Sequence, residues 1–582
     1  MRVILIPDYE EIFWGEKPEM SSLINDIPSK VIISLMSLIN SELTFGINDK
    51  QSQIKLFQFI SQRFGEEDYQ KIRQQIEKFY KKTFINGSNS EIAIFGLRYT
   101  MELISRELAN YRDFEFSDTT PEQELRIFKA YLLVVGELNE NDRVIVTKIN
   151  EKKSINGIKE LLWPHYIKQF EFTYRSDPIL EGIKSLAFLQ FCQRDITLSP
   201  CLDTFISKTD AKNSDDYVGK ILGIANLSFK PYSETDFSNF QVINLPSKDI
   251  LFESLTLQSE DISNYEKKQK DYIGIKEKPI FKLNDNNHTV INWNYLYNTL
   301  FTGLIFSFYK YSNAVKPLKS FDNYKSRIST EFSHKILFQG IIKGCFPNAD
   351  CLWFDDKNDD EFNPDCYYRK GKCIFLMEFK DNLINKDIIH SDDFDVIKDE
   401  IDKKFISSRD GKKGISQIKR NLDYLTRNPP KFDPIFKKEK IRNYTIYPII
   451  VHTNFYFALP GINEYINERF SVETENLKNS FKPLKPLTII DIDFFFRHIT
   501  HLNTNAISLY NIIEMYLKEI IAKKNKSREK LDDAQILFNS MAGFDEIMMR
   551  KEREFPEVDR TNYLEEIYRC LRITRPNKNT TK

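Results

Sequence analysis

The sequence predicts an α+β multidomain fold, with a largely helical N-terminal region followed by an α/β core that has a mixed central sheet. Three observations predict it. Apolar residues recur at helical spacing through most of the chain up to about residue 240. The text then turns polar at "SNAVKPLKSFDNYKSRIS", Ser312 to Ser329. Beyond it, short apolar runs bounded by Pro, Gly and charged residues alternate with helical segments. With 582 residues, 41% hydrophobic and 29% charged, the chain has the material for several packed domains.

"MRVILIPDYEEIF" reads as a buried first strand ending at Pro7, too short for a signal peptide. "SKVIISLMSLINSEL" reads as a helix with Ser29 as its N-cap. "EIAIFGLRYTMELISRELANY" carries the helical period from Glu91 to Tyr111. "SDTTPEQELRIFKAYLLVVGEL" places a cap, then Pro121 in the first turn, then an apolar stripe. "DPILEGIKSLAFLQFCQ" is again helical. From Ser233 to Asn287 the chain is weakly periodic, with loops, short strands and a charged helix near "SNYEKKQKDY". The most apolar window, Tyr295 to Tyr311, contains Asn298 and has polar flanks, so it reads as a buried core helix and not a membrane span. Next come a helix, "STEFSHKILFQGIIKGCF", and three strands, "ADCLWF", "DCYYRK" and "CIFLMEFK". The helix "GISQIKRNLDYL" and the strands "YTIYPIIVHT" and "PLTIIDID" follow, then charged helices and the polar tail "RPNKNTTK". This divides the chain into residues 1–150, helical; 151–312, mixed and mostly helical; 313–525, the α/β core; and 526–582, a charged helical extension and tail.

Net charge is -1, so no global field draws the chain to nucleic acid, and any such binding needs a local basic patch. The seven cysteines form no CxxC pair, which points to a reducing, cytoplasmic setting without structural zinc. No Gly-rich phosphate loop appears, which argues against a built-in ATPase motor. His390, His452, His498 and His501 lie outside metal-ligand spacing and read as packing or surface residues.

The chemistry concentrates in "NPDCYYRKGKCIFLMEFKDN", Asn363 to Asn382. In "CIFLMEFK", Ile374, Leu376, Glu378 and Lys380 share one face of a strand. Cys373, Phe375, Met377 and Phe379 share the other. A turn at Lys370-Gly371-Lys372 folds this strand onto the one that Asp365 begins. Asp365 and Glu378 then fall together at the open end of the hairpin, where a hard divalent cation can be held. Lys380 projects beside them. Asp350, in "NADCLWFDD", is a competing acid, but its connection to Glu378 is longer.

Pro364-Asp365 followed by Glu378-Phe379-Lys380 resembles the PD-(D/E)XK nuclease motif. The resemblance covers roughly Ser329 to Ile521 and implies a restriction-endonuclease-like core with a Mg²⁺ or Mn²⁺ site. It implies that Asp365, Glu378 and the Phe379 carbonyl ligate the metal, and that Lys380 orients the attacking water. Glu331, on the preceding helix, occupies the place of an acid that joins the metal site in many members, and Gln417 matches a Gln on the following helix. RecB-like members often have Tyr four residues after that Gln; here the position is Asn421, so no subfamily is assigned. Lys412, Lys413, Lys419 and Arg420 form a basic cluster suited to phosphate contacts; the plainer reading is a solvated face.

The expected function is metal-dependent hydrolysis of phosphodiester bonds, in DNA because the superfamily mostly cuts DNA. The N-terminal region would serve as a sensor or a target- or partner-binding module, and a homodimer is a further expectation. A helical region fused to such a nuclease resembles prokaryotic defence or mobile-element proteins. Two alternatives fit the same residues: a catalytically inactive nuclease fold used for binding or scaffolding, and an RNA-directed nuclease.

Overall fold

The computed structural model describes residues 4–574 apart from 46–49, 63, 86–90, 115–118, 152–154, 175, 227–242, 247–248, 266–271, 286, 356–361, 407–413, 429 and 527–540. The chain is α+β and divides into two compact units. One comprises residues 2–147 and 172–319, the other residues 148–171 and 320–582. The polar tail, the basic pair Lys412 and Lys413, and much of the charged "SNYEKKQKDY" segment lie outside the described residues.

The first unit is mainly helical around one apolar core. Ile4–Leu5 pairs in parallel with Glu91–Ile92, so the helical reading from Glu91 is corrected: the helix is Leu97–Ala109, entered at Gly96. Local apolar spacing could not reveal a strand whose partner lies so far back in sequence. Helix Ser29–Phe45 begins at Ser29, but the Ser29 hydroxyl donates to Glu107 Oε2 (2.8 Å) and accepts from the Arg112 N–H (3.0 Å). Helix Pro121–Glu151 starts with a reciprocal cap, Thr120 and Gln123 bonding each other's N–H at 3.2 and 3.0 Å. Ile243–Asn244, Asn287–Val290, Ile280–Lys282 and Thr256–Leu257 form a four-stranded sheet in that order.

The apolar window Tyr295–Tyr311 is two helices, not one: Trp293–Leu300 and Thr302–Tyr311, broken at Phe301. A Cβ on Gly303 would stand 3.0 Å from the Asn298 carbonyl oxygen, so glycine permits this close turn. The Asn298 side chain accepts from Ser176 Oγ at 2.9 Å. Among the described residues no helix is long and apolar enough to cross a membrane.

The second unit is built on a five-stranded sheet. Its strands are β1 (Cys351–Trp353), β2 (Cys366–Lys370), β3 (Cys373–Lys380), β4 (Thr445–His452) and β5 (Thr488–Asp491). The spatial order is β5-β4-β3-β2-β1. The first three strands form an antiparallel meander, and β4 and β5 then run parallel to β3. Before the sheet lies one continuous helical run: α1 (Phe321–Arg327), a π-helical stretch Ile328–Phe338, and α2 (Gln339–Cys345). Between β3 and β4 lie α3 (Phe394–Phe405) and α4 (Ile415–Arg427); between β4 and β5 lies α5 (Ile462–Glu473).

Alternation along β3 sorts the two faces as its sequence requires. Ile374 and Leu376 join Tyr367, Ile446, Ile450 and Ile489 in a core closed by Ile401, Ile418, Leu422 and Ile466 from the helices. On the other face Phe375 stacks between Tyr368 (4.9 Å) and Tyr447 (5.0 Å), its partners in register on β2 and β4. Pro448 sits inside β4, next to the parallel pairing with β5 that begins at Ile449, so its missing N–H leaves that ladder whole. Helix Ile155–Thr173 belongs to this unit: Trp163 donates to the Pro460 carbonyl (3.0 Å) and packs against Phe394 and Tyr465. Lys159, fully buried, pairs with Glu464.

Candidate active site

β2 and β3 form a hairpin closed by Gly371 and Lys372, with Lys370 opposite Cys373. Gly371 takes φ +56°, the left-handed value that a two-residue turn with glycine first demands. The register Cys366–Met377, carried one step further, sets Asp365 across from Glu378. Asp350 is at the opposite, turn end of the hairpin, accepting from the Gly371 N–H (2.6 Å) and pairing with Arg369 (3.3 Å). It is therefore remote from Glu378 and serves the turn.

At the open end the groups converge. Asp365 Oδ2 accepts from the Phe379 N–H at 2.7 Å, where β2 has ended and no ladder partner remains. In an extended strand the N–H and C=O of one residue point to the same side, so the Phe379 carbonyl faces Asp365 too. Lys380 Nζ donates to Glu378 Oε1 at 2.7 Å. Glu378 and Lys380 are buried, 3% and 7% exposed, while Asp365 keeps a quarter of its side chain open.

The electrostatics of the two acids differ. Burial pushes the Glu378 carboxyl up to about 8, and the neighbouring Asp365 charge adds to the rise; Lys380 only partly opposes it. Asp365 is held below the usual carboxylate range. Burial raises it, but His334, Lys380 and the Phe379 N–H together outweigh burial. Glu378 Oε2 is buried and accepts no hydrogen bond. Ionised, it faces another carboxylate with no donor of its own. A proton or a cation between the two acids removes that penalty.

His334 is a site residue that sequence reasoning passed over. Its Nε2 approaches Asp365 Oδ1 to 3.4 Å, and its ring lies against Phe338 and Phe379. It comes from the π-helical stretch, whose wider turns re-aim side chains and recur at functional sites. The signal was present as a His on the helix that carries Glu331. The structure does not bring Glu331 to the acids: its carboxylate accepts twice from Lys335, at 2.8 and 2.9 Å, a solvated i,i+4 pair.

Gln417 and Arg420 reach the site indirectly. Gln417 Nε2 donates to the Asn363 carbonyl (3.0 Å), and Arg420 Nη2 donates to Asn363 Oδ1 (2.8 Å). Lys419 is two residues from Gln417 and so faces away from that contact. His452 stands in register with Lys380, fully buried; burial pushes its imidazole down to about 3, so it is neutral. Asp381 accepts from Lys325 (2.7 Å) and Thr453 (2.8 Å), tying the strand end to α1.

No protein-family model, curated protein or solved structure matches the chain. Among the described residues no group of three or more His, Cys, Asp or Glu is arranged to hold a metal ion. The candidate donors are the two acids Asp365 and Glu378 and the Phe379 carbonyl, while the His334 imidazole faces Asp365.

Proposed function

We propose that the second unit is a metal-dependent phosphodiesterase of the PD-(D/E)XK kind, acting on DNA. The observation that carries this is the buried pair Asp365 and Glu378 with Lys380 bonded to one of them and an unpartnered Glu378 oxygen. The order helix, antiparallel meander, helix, parallel strand supports it: Asp365, Glu378 and Lys380 share the open end of the β2–β3 hairpin, at the C-terminal end of the central strand.

The residues fit a hard divalent cation. Asp365 and Glu378 would hold it, with the Phe379 carbonyl beside them, and the bound ion would supply Lewis-acid stabilisation of the phosphate and a more acidic water. Lys380, released from Glu378, donates to the attacking water and offsets the charge that grows on the phosphate oxygens. His334 steadies the Asp365 carboxylate from the π-helical stretch.

The test is incubation of wild type and Lys380→Ala with plasmid DNA, linear DNA, single-stranded DNA and RNA, with Mg²⁺ or Mn²⁺ and with chelator. Wild type cuts DNA only with metal, and Lys380→Ala is slower by about 10²- to 10³-fold. Equal cutting by both proteins removes Lys380 from the reaction. Cleavage of RNA alone replaces DNA as substrate.

A further inference from the structure

Asn363 has no place in the sheet, yet all three of its polar groups used in bonding go to one helix. Its N–H donates to Asn421 Oδ1 (3.0 Å), its carbonyl accepts from Gln417 Nε2 (3.0 Å), and its side-chain oxygen accepts from Arg420 Nη2 (2.8 Å). Gln417, Arg420 and Asn421 are at i, i+3 and i+4 of α4, a single helical face. Asn421 is only 2% exposed. Next in the chain is Pro364, which fixes its own φ and holds Asn363 extended. Two residues after Asn363 comes Asp365. The carboxylate end of that residue is held by the Phe379 N–H on β3.

We infer that α4 is a clamp that sets the approach of Asp365 to Glu378, with Asn421, Gln417 and Arg420 as positioning residues acting through Asn363. Asp365 is thus fixed at two points, its backbone from α4 and its carboxylate from β3. The segment between them is short and stiff, so a shift at Asn363 is passed to the carboxylate with little loss. Arg420 spends its guanidinium on this contact, and Gln417 does the same with its amide. The inference rests on the nuclease reading for its consequence, a metal site whose affinity depends on α4, but the seating of Asp365 is measurable without metal.

The Phe379 amide reports that seating, because its hydrogen bond goes to Asp365 in place of a strand partner. The experiment uses the full chain. Asn421→Ala removes the acceptor for the Asn363 N–H, Asn421→Asp retains one, and Arg420→Gln shortens another arm at a half-buried position. Amide exchange at Phe379 is followed by mass spectrometry in metal-free protein, and Mn²⁺ affinity by calorimetry. Asn421→Ala speeds exchange at Phe379 but not in β5, and it weakens Mn²⁺ about tenfold. Asn421→Asp restores both, and Arg420→Gln falls between. Unchanged exchange at Phe379 in folded Asn421→Ala and Arg420→Gln overturns the inference. Faster exchange in a protein that binds no Mn²⁺ even as wild type upholds the clamp and overturns the metal site, so the two failures are told apart.

Discussion

Glu378→Gln lowers DNA cleavage by about a thousandfold, equivalent to ~4 kcal/mol of lost transition-state stabilisation, and at the same time raises the melting temperature of the metal-free protein at pH 8. The opposite signs follow from the position of the carboxyl. Its ordinary value is 4.5, and burial with the Asp365 charge carries it to about 8. Between those limits the folded protein keeps a proton that the unfolded chain has released, so stability declines as pH rises through that window and levels off above it. Glutamine is neutral throughout and escapes the decline. The variant's advantage is therefore largest at pH 8 and fades towards pH 5, which thermal melts across that range measure. A variant no more stable than wild type at pH 8 shows that the Glu378 carboxylate is well solvated or well paired after all.

The hairpin was legible because its information is local. Gly371 marks the turn, alternation from Cys373 to Lys380 assigns the faces, and together they fix that Asp365 meets Glu378. The helix contribution was not legible. Glu331 was named by its residue type and its place on the preceding helix, but it pairs with Lys335, while His334, from the π-helical stretch, is the side chain that reaches Asp365. The tasks of Gln417 and Arg420 were hidden for another reason. They depend on a tertiary contact with Asn363 across 54 and 57 residues, which periodicity cannot encode. The same limit hid the strand at Glu91 and the membership of Lys148–Glu171 in the second unit, each fixed by partners distant in sequence.

Gly414→Ala unfolds or inactivates the second unit, while Gly371→Ala barely disturbs it. Both glycines have positive φ, +66° and +56°. Around Gly371 nothing lies within 4 Å of an added Cβ, so alanine there costs only the left-handed penalty of ~1 kcal/mol. At Gly414 a Cβ would run into the Phe405 carbonyl at the end of α3, which is backbone and cannot step aside. Gly414 also begins α4, its carbonyl accepting from the Gln417 and Ile418 N–H groups at 3.1 Å each. Relieving the clash therefore moves the helix that holds Asn363. The loss is about 3 kcal/mol or more, read as a fall in the urea midpoint. Where the variant still folds, Mn²⁺ binding weakens as it does for Asn421→Ala. Equal midpoints for the two glycine variants would mean that α3 and α4 separate without cost.

The most direct measurement is calorimetric titration of Mn²⁺ into metal-free wild type and Asp365→Asn from pH 6 to pH 9. In wild type the cation must displace the Glu378 proton, so affinity rises by up to about tenfold per pH unit until pH 8 and then levels off. Proton release accompanies binding below that pH, and Asp365→Asn binds far more weakly throughout. Affinity independent of pH, or equal in the two proteins, contradicts the assignment of Asp365 and Glu378 as the metal site.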